Sequence, residues 1–345
     1  MLKLLVSRLL LVLFLAGSAA STQAADVVLR LHQMLPPQAT IPAKVLEPWA
    51  KKIEAESGGR IEVQLYPSMQ LGGRPADLVD QVRDGVVDLT WTLFGYTPGR
   101  FPKTEVFELP FMMTNATATS MAFQAYYEKY MKGDLKGIHV LAVHTHGPGL
   151  LHTRNQAVHS LEDLDGLKIR GTSRVVNAML GSLGASAIGM PVSATPEALS
   201  KGVIDGTVMP FEVTTALKIA ELAPYHTEFS GKRGLYTGTF LFAMNDARYQ
   251  NLPADLKKVI DDNSGMALAK RFGEAMDEGD REGRAAADKA GNTTVTLDAK
   301  ETARWHKASE AVTTDWIEEM NDKGLHGQEL YDAAKSLIDK YDAEI

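Results

Sequence analysis

The residue with the most pointed chemistry in this chain is an arginine at the end of a short apolar strand. Residues 160–174 read SLEDLDGLKIRGTSR: a polar turn, a glycine, the strand Leu167-Lys168-Ile169, and then Arg170. A guanidinium stays charged at any ordinary pH, and its planar fork of donors fits a carboxylate bidentately. At the mouth of a cleft such a group is an anion clamp; elsewhere it is a solvated or ion-paired surface arginine. Arg174, four positions on at a helix start, is open to the same two readings, as a helper to Arg170 or as a structural ion pair.

Three histidines follow in interest. His144 and His146 stand two apart at a strand end, with His152 nearby, a placement that would let a pair ligate a metal. The third and fourth ligands at metal-site spacing are not evident, so polar contact or packing is the preferred reading. Catalytic signatures are missing as well: no nucleotide fingerprint, phosphate loop, G-x-S-x-G or H-E-x-x-H occurs. Acid pairs such as Glu162-Asp163 fall in polar turns and read as solvated. The remaining candidates are large or apolar groups at strand ends: Trp91, Leu93 and Phe94, Met209 and Phe211, Gly149 in the segment GPGLLHTR, and Tyr236.

The elements that must position these residues alternate between strand and helix. A strand over 27–31 leads through a loop to a helix over 42–56, stopped by Ser57-Gly58-Gly59; Ile61, Val63 and Leu65 then alternate with polar residues as a half-buried strand. A helix over 76–83, a strand over 86–92, a helix over 116–130 and a strand over 138–144 complete a first lobe. The glycines of GPGLLHTR mark a crossing into a second lobe. That lobe holds Arg170, a helix over 175–183 and a strand over 187–190, and Thr195-Pro196 opens a further short helix. The run Leu199 to Asp205 repeats the pattern of Val82 to Asp88, a helix end, a glycine stop and a strand. A strand over 235–244 returns to the first lobe, and one helix over 253–290 is long enough to bridge both. Helices over 299–320 and 327–341 close the chain. The division expected is 1–24 as a signal peptide, 25–147 with 237–270 as one lobe, 148–236 with 271–320 as the other, and 321–345 as a C-terminal helix.

Composition narrows the function classes. The 345 residues are 45% hydrophobic and 23% charged, ordinary for a globular protein. Lys3 and Arg8 precede the apolar run LLLVLFLA, which is followed by small residues, the pattern of a cleaved secretory signal and too short to span a membrane. Without those two cations the net charge moves from −7 to −9, and no basic block is present, which argues against a nucleic-acid partner. With no cysteine there is no lipoprotein anchor, disulfide or Fe–S cluster. An acidic protein that binds an anion must do so through a local, pre-organised site.

The D-L-D-G-L-K-I-R run (residues 163–170), the segment VFELPF (106–111) and Gly-Val-Ile-Asp-Gly (202–206) resemble the periplasmic substrate-binding proteins of tripartite ATP-independent periplasmic (TRAP) transporters. The similarity spans essentially the whole mature chain. It implies an α/β, two-lobed periplasmic binding protein fold with a ligand cleft between the lobes and a long helix bridging both. It also implies a small organic acid whose carboxylate lies on Arg170, delivery to a TRAP-type membrane permease, a periplasmic location, no cofactor and no enzymatic activity. Where sialic-acid-binding relatives are polar, this chain has Leu93, Gly149 and Met209. Unpaired sugar hydroxyls would be costly in such a pocket. A benzoate-like aromatic monocarboxylate is therefore expected, its ring among Trp91, Phe94, Met209 and Phe211, with His146 or Tyr236 reading a ring hydroxyl. A C4-dicarboxylate or 2-oxo acid is the alternative ligand. A secreted enzyme acting on a carboxylate and an ABC-type binding protein are the alternative classes.

Overall fold

Apolar alternation starts the fold: along Val27–Gln33, Val27, Leu29 and Leu31 are buried while Val28 and Arg30 reach solvent. The computed structural model describes residues 25–345; the expected signal peptide, 1–24, lies outside the described residues. The strands in chain order are β1 (Val27–Gln33), β2 (Ile61–Tyr66), β3 (Leu89–Leu93), β4 (Ile138–Thr145), β5 (Leu150–Thr153), β6 (Lys168–Gly171), β7 (Ser186–Gly189), β8 (Gly206–Met209), β9 (Tyr225–Phe229), β10 (Thr239–Asn245) and β11 (Thr293–Leu297). They form two sheets, β2-β1-β3-β10-β4 and β11-β9-β5-β8-β6-β7. The central strands β3, β5, β8 and β10 are buried along their whole length, as strands covered on both faces must be.

The chain passes between the sheets three times. Residues 146–149 join β4 to β5, residues 230–238 join β9 to β10, and the helix Met266–Lys289 leads to β11. The first two crossings are stitched together where Gly149 N–H donates to the Tyr236 carbonyl at 2.9 Å. The long helix packs on the helix Ala116–Tyr126 beside the first sheet and on the turn Phe211–Val213 after β8 in the second. Its Asp277 accepts from the N–H groups of Ala116 and Thr117 at 2.8 and 3.0 Å, satisfying free donors at the start of the partner helix. The helix Gly327–Glu344 returns to lie on Ala116–Tyr126, so the chain's end is tied to the first sheet's side.

The α/β two-sheet plan and the bridging helix match the sequence reading, and three details differ. The helix expected over 253–290 is two, Ala254–Asp262 and Met266–Lys289. The backbone is pulled aside between them: Trp49 Nε1 donates to Asn263 O at 2.9 Å, and Gly265 N–H to Leu141 O at 2.6 Å. β10 starts at Thr239 rather than 235, because Leu235 and Tyr236 belong to the crossing. β9 and β11 gave no clear signal, being short, threonine-bearing and only partly buried, so their alternation is weak. Among the described residues no helix is long and apolar enough to cross a membrane.

Helix contact at Gly273 sets a test of this frame. A Cβ there would lie 2.5 Å from the Thr117 Cα, and backbone has no flexible end with which to yield. Gly273→Ala should lower stability by about 1–3 kcal/mol, the range for overpacking a tight core. A thermal melt unchanged from the parent would show that the two helices are not closely packed.

Candidate functional site

Strand ends from both sheets converge with the two crossings on one cavity. β3 contributes Trp91 and Leu93, β6 Arg170, β8 Met209, and the crossings His146 and Tyr236. Met34 and Leu35 after β1, Phe240 in β10 and Met276 of the long helix add apolar wall. Every one of these residues is buried, so the two halves are closed over the space.

Arg170 is only 1% exposed. Its Nε donates to Met190 O at 2.9 Å and its Nη1 to Val208 O at 3.2 Å, which aims the fork; Nη2 is buried without a partner. No carboxylate pairs with it among the described residues. A buried cation without a counter-charge is costly, and an anion in the cavity removes that cost.

The neighbours of the guanidinium are neutral. Tyr96 accepts from Val192 N–H at 3.0 Å, and burial pushes its phenol up, opposed by Arg170. Tyr236 has an unpartnered hydroxyl, with burial pushing its pKa up to about 12, again against Arg170. His146 Nδ1 donates to Gly147 O at 2.6 Å; burial, with Arg170's charge adding, pushes the ring down to about 4. The proton on Nδ1 leaves Nε2 as an acceptor. All three rings line the cavity together with Arg170.

The opposite need, a flat apolar wall, is met by Trp91. Its indole stacks on Phe240 with centroids 5.1 Å apart, and its Nε1 donates to His144 Nε2 at 2.8 Å. His144 is itself stacked on Phe240 and Phe272 and held neutral, burial pushing it down to about 3. The three histidines considered for metal therefore have separate partners: His144 fixes Trp91, His146 faces the cavity, and His152 bonds His226 and the Met209 carbonyl. No metal-ligating cluster occurs among the described residues.

Four residues expected at the ligand do not line this cavity. Arg174 grips Glu105 through Nε and Nη2 at 2.6 and 2.5 Å and Glu319 through Nη1 at 2.8 Å, so its fork joins the loop before 109 to the helix Ala299–Asp322. Phe94 follows the cavity-facing Leu93 and turns the other way, edge-on to Phe101 and Phe123. Phe211 begins the turn after β8 and sits edge-on to His152 and His226. Gly149 supplies close approach only, since a Cβ there would run into the Tyr236 ring. Conversely, Tyr96, Phe240, Met34, Leu35, Met276 and Glu212 line the cavity without having been singled out. Tyr96 lies two residues beyond Phe94 and Glu212 beside Phe211, whereas nothing in the spacing marks Met34 or Met276.

Residues 32–319 match the family model of bacterial extracellular solute-binding protein, family 7. A TRAP solute-binding protein from a marine metagenome, described as specific for aromatic acid ligands and crystallised with 3-hydroxybenzoate, is 50% identical. The alignment covers 92% of this chain and 100% of that one at a TM-score of 0.90. A TRAP solute-binding protein from Rhodoferax ferrireducens T118, in complex with copurified benzoate, is 46% identical over 92% of this chain and 98% of its own, TM-score 0.90. One from Bordetella bronchiseptica, with bound (R)- and (S)-mandelate, is 31% identical over 91% and 99%, TM-score 0.84.

Two outcomes are expected from these side chains. Arg174→Ala strands Glu105, whose side chain is 7% exposed, while Arg174 itself is 33% exposed. The loss should be about 1–3 kcal/mol in a thermal or urea melt, between a surface pair and a fully buried one; an unchanged melt contradicts the structural role. The second concerns pH. His144 and His152 at about 3, and His146 and His226 at about 4, withdraw stability as pH falls from about 6.5 through those values, because only the unfolded chain takes up the proton. Glu108 and Glu212, pushed up by burial to about 7, act in the other direction and withdraw stability as pH rises from about 4.5 through 7. With four imidazoles against two carboxyls, the melting temperature should rise from about pH 5 to 6 and level off near 7, and a steady fall from pH 5 to 6.5 would contradict these burials.

Proposed function

We propose, for a chain that belongs to the bacterial extracellular solute-binding proteins of family 7 and is a TRAP solute-binding protein, that its ligand is a small aromatic monocarboxylate clamped by Arg170. The observation that carries the reading is the buried guanidinium with a free Nη2 in a cavity walled largely by Trp91, Leu93, Met209, Phe240 and their apolar neighbours. A ligand carboxylate supplies the missing counter-charge through charge-assisted bonds, with the Tyr236 hydroxyl as a further donor. The aromatic ring lies against Trp91 and Phe240. The aromatic acids bound by the three related structures support the same class.

Alternative acids fit less well. A C4-dicarboxylate would want a second cation, and among the described residues no second arginine or lysine lines the cavity. A sugar acid would leave hydroxyls unpaired against methionine and leucine. In keeping with a family of solute-binding proteins, the chain captures its ligand and releases it unchanged.

Binding works by closure. The lobes, 25–147 with 237–270 and 148–236 with 271–320, rotate about the paired crossings at Gly149 and Tyr236, and ligand stabilises the closed arrangement. The closed form is then presented, in the periplasm after removal of residues 1–24, to the membrane permease of a TRAP transporter.

Calorimetric titration of the purified protein tests the reading. Benzoate and hydroxybenzoates should bind, and Arg170→Ala should weaken them at least about 30-fold, from the 2 kcal/mol or more lost when one partner of a buried charge pair is truncated. Arg170→Lys should also bind poorly, because a point charge lacks the fork. Tighter binding of succinate or a sugar acid than of any benzoate, or full affinity in Arg170→Ala, would overturn it.

A further inference from the structure

One polar wall of the cavity is not accounted for by the carboxylate clamp. Glu212, three residues beyond β8, is 5% exposed and lines the same space as Arg170. Its backbone is held in place where its N–H donates to Asp280 Oδ1 on the long helix at 2.8 Å. Its carboxyl oxygen Oε1 is buried with no hydrogen-bond partner. The side chain packs against the long helix and Thr40: a Cβ at Gly279 would lie 2.6 Å from Glu212 Cγ and 3.0 Å from Thr40 Oγ1. The cavity thus carries both a cation, Arg170 tied to the Val208 carbonyl of β8, and an acid, Glu212 set against the long helix.

That arrangement has a consequence for the ligand's second substituent. A buried carboxyl oxygen lacking a partner bears a desolvation cost, which a hydroxyl donor on the ligand would remove. A second carboxylate in the same place would confront Glu212 across a water-poor space and be rejected. We infer that Glu212 selects the substituent remote from the ligand's carboxylate, accepting a hydrogen bond from a ring hydroxyl meta or para to it and excluding an anionic group there. This rests on the reading that Arg170 holds the ligand's carboxylate. Glu212 is then a specificity residue at the far end of the same molecule, distinct from the clamp that provides the charge pairing.

The test is calorimetric titration of the parent protein, Glu212→Gln and Glu212→Met with benzoate, 3-hydroxybenzoate, 4-hydroxybenzoate, isophthalate and terephthalate. The parent should bind one of the hydroxybenzoates at least tenfold tighter than benzoate and bind neither dicarboxylate. Glu212→Met should bring the hydroxybenzoate-to-benzoate ratio close to one. Glu212→Gln keeps the shape and an acceptor but drops the charge, so it should keep a hydroxyl preference and gain at least tenfold for one dicarboxylate; it decides the matter if the Met variant fails to fold. Unchanged ratios in both variants, no hydroxyl preference in the parent, or dicarboxylate binding by the parent overturns the inference while leaving the aromatic-acid reading in place. Absence of binding by every aromatic monocarboxylate overturns that reading and this inference with it.

Discussion

An unpaired guanidinium enclosed by apolar side chains is the constraint on which the rest of the structure depends. Arg170 cannot lose its charge at physiological pH, and burying it without an anion is expensive. The fold meets part of that cost with two carbonyls, Met190 O and Val208 O, and leaves one amino group free. The closed cavity is therefore incomplete by one negative charge, and an anion that fills it stabilises closure in the same step. Neutral tyrosines and a neutral histidine around the arginine prevent the protein from supplying the counter-charge itself.

Much of the remaining architecture keeps that fork aimed and dry. β6 lies between β7 and β8, so Arg170 leaves a strand fixed on both sides, with its acceptor Val208 on the neighbouring strand. Trp91 is held by the His144 ring, itself stacked between Phe240 and Phe272, and this chain of aromatic contacts reaches from the cavity to the long helix. Polar ties between the two halves include Tyr96 to Val192 in the cavity wall and Glu105 to Arg174 outside it. Apolar packing crosses between the halves as well, as where Phe111 meets Phe229 edge-on. The long helix keeps continuous packing against both.

The plan of the fold was legible because burial patterns and punctuation agree along most of the chain. Strands β1, β2, β4 and β6, the repeated helix–glycine–strand unit and the glycine-bearing crossing are all written locally. The cavity was legible only where a residue closes a strand: Trp91, Leu93, Arg170 and Met209 lie at ends that open between the sheets. Sequence position alone does not say which of two adjacent residues turns inward, and so Leu93 and Phe94 were not separated. Arg174 resembled a second clamp because its partners, Glu105 and Glu319, lie 69 and 145 residues away. Met34, Met276 and Glu212 reach the cavity through tertiary packing of three different segments, for which no short-range pattern exists.

The most direct measurement is a crystal structure of the protein with 3-hydroxybenzoate. The account predicts the ring against Trp91 and Phe240 and a carboxylate oxygen at about 2.7–2.9 Å from Arg170 Nη2, the length of a charge-assisted bond. A carboxylate bound elsewhere, with Arg170 still unpaired or turned onto a protein acid, would contradict the claim that this buried charge is what the ligand completes.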